Sequence, residues 1–134
     1  MDAIEIRPIG YVRNQAEERT DFDELISEIE ILPELEGGLH RIEELDEIFV
    51  IFYFDRMRGY TLKVHPWHDE SLPLVGVFAS RSPGRPNFLG LTRAKLLERR
   101  GNVLVVKGLD ALNGTPVIDI KPATSWDTVY GGRS

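Results

Sequence analysis

The chain has 134 residues, 42% hydrophobic and 28% charged, which matches one compact domain against a norm of about 150 residues per domain. That length has no room for separate cofactor and substrate domains, so a two-domain Rossmann dehydrogenase is excluded. With no cysteine, disulfides, thiol chemistry and Cys-ligated zinc or iron–sulfur sites are excluded too.

The longest apolar run, Ile48 to Phe54, falls far short of the roughly 20 residues a membrane-crossing helix needs, so no membrane partner is expected. Met1-Asp2-Ala3-Ile4-Glu5 lacks the basic and apolar regions of a secretory signal, which makes the cytosol the expected location. The net charge of −6 hides a division: residues 1–55 hold 4 Arg against 16 acidic residues, and residues 56–134 hold 12 Lys and Arg against 6 acidic residues. Two readings stand. Either the halves neutralise each other across the folded surface, or the dipole steers an anionic partner to one face.

In chain order, Glu5 to Arg13 is rich in β-branched and aromatic residues and predicts a strand, with Pro8 placing it near an edge or bulge. Residues 14–25 are polar, acidic and without period, a loop long enough to suggest a function. Ser27 to Ile31 alternates polar and apolar residues, as a half-buried strand does, and stops at Pro33. After Gly37-Gly38, the apolar residues Leu39, Ile42 and Leu45 recur every three positions and predict the single short helix. Ile48 to Phe54 is continuously apolar and β-prone, which predicts a strand buried on both faces at the centre of the core.

Shorter strands are expected at Tyr60–Val64, Leu74–Phe78, Gly90–Leu97, Val103–Lys107 and Val117–Ile120, with a hairpin turn at Arg100-Gly101-Asn102. For residues 91–97 an amphipathic helix is the alternative. Eight short strands and one short helix predict an all-β fold, a small antiparallel β-barrel. No Rossmann fold is expected. The whole chain reads as one domain, with a core over about residues 5–123 and a short tail at 124–134.

Three segments bear chemistry. Ser80-Arg81-Ser82-Pro83-Gly84-Arg85-Pro86-Asn87 holds two arginines on backbone stiffened by two prolines, so a guanidinium there loses little entropy on gripping an anion. The alternative is a structural turn paired with the acidic half. Gly108 to Pro116 contains Asn113-Gly114-Thr115-Pro116, a strong turn signal, and offers backbone amides and Asp110 to a ligand, a plain hairpin connection being the other reading. His65-Pro66-Trp67-His68-Asp69-Glu70 has metal-ligand residue types, but Pro66 breaks any helix that would align the histidines. No metal is expected. The serine-hydrolase, P-loop and Rossmann motifs are missing.

Pro8-Ile9-Gly10-Tyr11-Val12, the stretch Gly76 to Asn87, Gly90-Leu91, Leu109-Asp110 and Gly114-Thr115-Pro116-Val117 running into Asp119-Ile120-Lys121-Pro122 together resemble the TsaA-like family, in the family's order. The resemblance implies a β-barrel that binds S-adenosylmethionine and works as a homodimer with its site near the subunit interface. It also implies methylation of N6 of threonylcarbamoyladenosine beside the tRNA anticodon. Carried over by motif, the cofactor contacts fall on Arg81, Leu91, Leu109, Asp110, Ala111 and Leu112. The family's early Pro-Arg-Gln loop has no match in Arg13–Asp23, and Asp55 stands where the family has a histidine. Asp119, Lys121 and Asp55 are the groups expected to orient the acceptor or take its proton. Arg85, Asn87, Arg93 and Lys95 are expected on the substrate side. A non-catalytic RNA- or nucleotide-binding barrel and a small-molecule methyltransferase are the rival functions.

Overall fold

The computed structural model describes residues 2–123, so the expected tail at 124–134 lies outside the described residues. Six strands close into an antiparallel barrel: β1 (Gly10–Arg13), β2 (Ile26–Ile31), β3 (Glu47–Tyr53), β6 (Leu89–Arg100), β7 (Val103–Lys107) and β8 (Pro116–Pro122). The order around the barrel is β1-β2-β7-β6-β3-β8. The remaining two strands, β4 (Lys63–Val64) and β5 (Val75–Gly76), form a separate two-stranded hairpin between β3 and β6. The all-β barrel is therefore as expected, and no Rossmann unit is present among the described residues.

Alternation along the strands builds the core. Val12, Ile29, Ile31, Ile48, Val50, Phe52, Leu104, Val106 and Val117 turn inward and are buried, each worth about 1.5–3 kcal/mol relative to exposure. In β3 this alternation corrects the expectation of burial on both faces. Ile48, Val50 and Phe52 are buried, whereas Phe49 and Ile51 are half-covered and Tyr53 is exposed. A closed antiparallel barrel has one interior, so an apolar strand in it leaves its other face outside.

The helical segment also takes a different form. It consists of two 3₁₀ turns, Pro33–Leu39 and Ile42–Glu44, separated by Arg41 at φ 69°. The three-residue spacing of Leu39, Ile42 and Leu45 is the period of a 3₁₀ helix, and two adjacent glycines disfavour the α form. Further 3₁₀ turns lie at Pro66–His68 and Val77–Ala79. The first strand begins only at Gly10, after Pro8, which has no N–H to give a ladder. The hairpin turn at Arg100-Gly101-Asn102 is present, with Gly101 at φ 60° and Asn102 Nδ2 donating to Ile31 O at 2.7 Å.

Strand direction gives the barrel two distinct mouths. Loops 14–25, 54–88 and 108–115 gather at one, the proximal mouth, while residues 2–9, residues 32–46 and the 100–102 turn gather at the other, the distal mouth. Ile51 pairs with Asp119 but Phe52 pairs with Val117, so Ile118 is an extra residue in the β3–β8 ladder, and such a bulge bends the strand toward closure. Among the described residues no helix is long and apolar enough to cross a membrane.

At the β1–β2 contact, a Cβ on Gly10 would collide with the Glu30 carbonyl oxygen and lie 3.0 Å from Ile31 Cα. Both obstacles are backbone and cannot swing aside. Gly10→Ala is expected to lower the unfolding free energy by about 2–3 kcal/mol in urea titration. Gly37→Ala, with nothing within 4 Å of the new methyl, is expected to stay within about 0.5 kcal/mol of the parent.

Candidate functional site

A cavity of about 140 Å³ opens at the proximal mouth, where three loops meet. The β1–β2 loop contributes Arg19 and Phe22. The chain leaving β3 contributes Phe54, Asp55, Arg56 and Met57. The β7–β8 loop contributes Asp110, Ala111, Leu112 and Thr115, and Pro83 closes the rim. The lining thus sets aromatic and aliphatic surface beside two carboxylates and two guanidiniums.

A hydrogen-bond lattice holds these loops in place. Asn14 Nδ2 donates to Ser27 Oγ and to Ala111 O, both at 2.9 Å, and Asn14 Oδ1 accepts from Ala16 N at 2.9 Å. Asn113 Oδ1 in turn accepts from Asn14 N at 3.1 Å, and Asn113 N donates to Ala16 O at 2.8 Å. Arg56 donates to the carbonyls of Glu17 and Asn113. Two loops separated by about a hundred positions are thereby fixed against each other and against β3. The sequence assigns no role to Asn14 or Arg56 and marks Asn113 only as part of a turn. The available signals were the Asn-Gly turn and an asparagine opening a polar loop, a position that favours side-chain to backbone bonding.

The expected site residues divide by location. Asp55, Asp110, Ala111 and Leu112 line the cavity. Leu109 is fully buried beneath it and belongs to the core. Leu91 lies on the outer face of β6, 40% exposed and opposite Ile51 of β3, and Arg81 Nη1 donates to its carbonyl at 2.8 Å. Arg85 Nη1 donates to Ser80 O and Ser82 O at 2.9 and 3.2 Å, so this guanidinium braces its own loop. Asn87 is exposed beside Phe88, whose φ is 53°.

Four of the expected residues stand apart from the cavity. Arg93 forms a two-point pair with Glu47 at 2.8 and 3.1 Å, and Lys95 is the register partner of Glu47. Asp119 and Lys121 lie on the outer face of β8 with 4.0 Å between their charged atoms. Strand alternation turns all four outward, toward the outer sheet surface. Asp119 also borders a larger groove of about 410 Å³ at the distal mouth, with Ile9, Ile31, Leu35, Ile42 and Glu34. That groove contains none of the Arg81–Asn87 or Leu109–Leu112 residues. In the 65–70 segment, His65 Nδ1 is bonded to Leu72 O at 3.0 Å, and among the described residues no three potential metal ligands come together.

Ion pairing is distributed unevenly. On the strands, Arg13 meets Glu30 at 2.7 Å, Arg100 meets Glu28 at 3.0 Å and Lys107 meets Glu24 at 2.8 Å, and Arg99 lies between Glu36 and Glu43. Among the described cations, those without a carboxylate partner are Arg19, Arg58, Lys63, Arg81 and Arg85 of the proximal loops, together with Lys95.

Residues 14–127 match the family model described as the tRNA-methyltransferase O N-terminal domain, and the chain belongs to that family. A protein of Archaeoglobus fulgidus named a probable S-adenosyl-L-methionine-binding protein is 45% identical over 131 residues, covering 93% of this chain and 35% of its own length. The tRNA (adenine(37)-N6)-methyltransferase of Mus musculus is 40% identical over 89 residues, 65% of this chain and 20% of that protein. The crystal structure of TrmO from Pseudomonas aeruginosa superposes with a TM-score of 0.75 at 27% identity, over 98% of this chain and 62% of that one. The chain therefore spans about a third of the archaeal protein, a fifth of the mouse protein and three fifths of the bacterial one.

Because Asn14 bonds the buried Ser27 and the Ala111 carbonyl at once, Asn14→Ala leaves both without a partner. Its expected cost is about 2–3 kcal/mol. Denaturant titration measures the loss, and amide exchange at Ala16 and Asn113 is expected to quicken ahead of exchange in the β3 and β7 strands.

Proposed function

We propose that this member of the family binds S-adenosylmethionine at the proximal cavity and transfers its methyl group to tRNA, with N6 of threonylcarbamoyladenosine beside the anticodon as the acceptor. The observation that carries this reading is the convergence of Asp110, Ala111 and Leu112 with Asp55 at one cavity, on the mouth where the unpaired cations lie. The names of the relatives support the cofactor and the substrate class. The cytosol is the compartment this reading assigns.

The lining fits the cofactor's chemistry. Phe22, Phe54, Met57 and Leu112 offer apolar surface for an adenine ring, Asp110 offers an acceptor for ribose hydroxyls or an ammonium group, and Arg19 offers a partner for a carboxylate. Bound there, S-adenosylmethionine supplies a methyl group on a sulfonium that departs as a neutral thioether, so no acid is needed for the leaving group. Methylation of the acceptor nitrogen would release one proton, which a residue of the cavity would take. Asp55 is the one of the three candidate proton acceptors that lines the cavity, and we assign it that role. The rest of the rate comes from holding donor and acceptor in line, which is the work of the Asn14–Asn113–Arg56 lattice.

The reading includes a homodimer. Phe49, Ile51, Tyr53 and Leu91 lie together on the outer face of β3 and β6, and Tyr53, Phe88 and Tyr60 continue that surface through edge-on ring contacts at 6.4 Å. A face of this kind is where a second copy of the chain would seat.

Three experiments test these statements. Calorimetry with S-adenosylmethionine, together with mass analysis of nucleosides from tRNA incubated with enzyme and cofactor, is expected to show binding and a mass gain of one methyl group on the modified adenosine. Asp55→Asn is expected to lower kcat by about a hundredfold, within the range for removing a positioned base, with cofactor affinity within about twofold. Unchanged kcat would remove Asp55 from the proton's path. Light scattering is expected to report about twice the chain mass of 15.2 kDa, reverting to one chain in Leu91→Asp.

A further inference from the structure

The segment between β3 and β6 leaves the barrel as the β4–β5 hairpin and exposes aromatic residues at its tip and base. Trp67 is 88% exposed and Phe78 77%. Large aromatic side chains ordinarily bury most of their surface, so a bare indole on a structured tip needs a reason.

The tip is built to present it. Trp67 and His68 occupy the left-handed region at φ 54° and 57°, a backbone conformation unfavourable for residues with a Cβ and concentrated at functional positions. The surrounding bonds hold them there. Asp69 N donates to Pro66 O and His68 N to His65 O, both at 3.0 Å. The Asp69 carboxylate accepts from Ser71 N and Ser71 Oγ, and those bonds hold it below the usual carboxylate range.

The excursion as a whole carries an excess of cations, its two carboxylates lying together just after Trp67. Residues 56–88 contain five Lys and Arg against Asp69 and Glu70, in a chain whose net charge is −6. Among the described residues Arg58, Lys63, Arg81 and Arg85 have no carboxylate partner, whereas Arg13, Arg93, Arg100 and Lys107 on the strands do. Exposed aromatic rings interleaved with uncompensated cations suit a single-stranded nucleic acid, whose unstacked bases lie on aromatic faces while its phosphates meet Lys and Arg.

We infer that the β3–β6 excursion is the arm that seats the RNA substrate, with Trp67 as the platform on which an unpaired base stacks and Arg58 and Lys63 as phosphate contacts. The inference rests on the tRNA reading above and adds the surface that grips the loop. It also moves the docking surface away from Arg93 and Lys95, where the sequence had suggested it.

The test uses the full chain and a fluorescein-labelled anticodon stem-loop RNA, with affinity read by anisotropy and cofactor affinity by calorimetry. Trp67→Ala is expected to weaken RNA binding by about tenfold or more, the scale of one lost base–aromatic stack, with S-adenosylmethionine bound as in the parent. Trp67→Phe, which keeps a ring, is expected to recover most of the affinity. In a Trp126→Phe background, Trp67 fluorescence is expected to be quenched by the RNA. Arg58→Ala with Lys63→Ala is expected to reduce the slope of log affinity against log salt by about 1.4, the value for two single-strand phosphate contacts. RNA bound equally well by Trp67→Ala overturns the inference and leaves the methyltransferase reading standing. A parent that binds cofactor but no RNA overturns both. A Trp67→Ala chain whose mass falls from dimer to monomer makes Trp67 a subunit contact and overturns the inference.

Discussion

The barrel closes through a seam only two residue pairs long, Gly10 with Val117 and Tyr11 with Pro116, and the organisation of the proximal mouth follows from that closure. Pro116 has no N–H to give, so the seam depends on its flanks. Ile9 N donates to Val117 O at 2.8 Å, Val12 N to Thr115 O at 2.9 Å and Gly114 N to Val12 O at 2.7 Å. The last two bonds lie on the cavity side, where they draw the 108–115 loop against the end of β1. On its other edge the same four-residue strand pairs with β2 along its whole length. One short strand therefore both completes the cylinder and sets the separation between two cavity loops, so any opening of the seam also opens the site.

The fold was largely legible from alternation and punctuation. The eight strands of the described residues lie near the eight expected ones, with β6 formed over residues for which a helix was the alternative, and the Arg100–Asn102 turn sits on its glycine. What pattern reading could not supply was the consequence of closure. The seven consecutive apolar residues Ile48–Phe54 imply two covered faces, and only knowledge of a single enclosed interior shows that Phe49, Ile51 and Tyr53 of β3 point outside. The helix was misjudged in kind because a three-residue spacing was read without its literal period.

The site was legible in part. Asp110, Ala111 and Leu112, carried over from a resemblance, line the cavity together with Asp55. Asp119 and Lys121 sit in an equally distinctive motif, yet strand alternation turns them outward, and a motif read as a string contains no information about that parity. Asn14 and Asn113 show another limit. Their roles come from a contact between loops about a hundred positions apart, and the turn signal at Asn113-Gly114 marks the bend without naming the partner. The arginines show a third limit. Arg85 lies in the most distinctive segment of the chain but bonds its own loop's carbonyls, while the less conspicuous Arg58 and Lys63 stand free of carboxylates.

The direction of the strands has a bearing on how this unit combines with others. The N-terminal residues enter through the distal mouth, where Ile9 borders the groove, and β8 delivers Ala123 to the same end, its N–H bonded to Glu47 O at 3.2 Å. Residues 2–9 and Ala123 thus both lie on the side opposite the cavity. In the archaeal relative this domain corresponds to 35% of the protein, so the same fold serves there within a much longer polypeptide. A six-residue strand spans about 20 Å, so a module joined ahead of residues 2–9 meets the barrel a full strand length from the cavity. It can be gained, lost or exchanged without rebuilding the loops that line the proximal mouth.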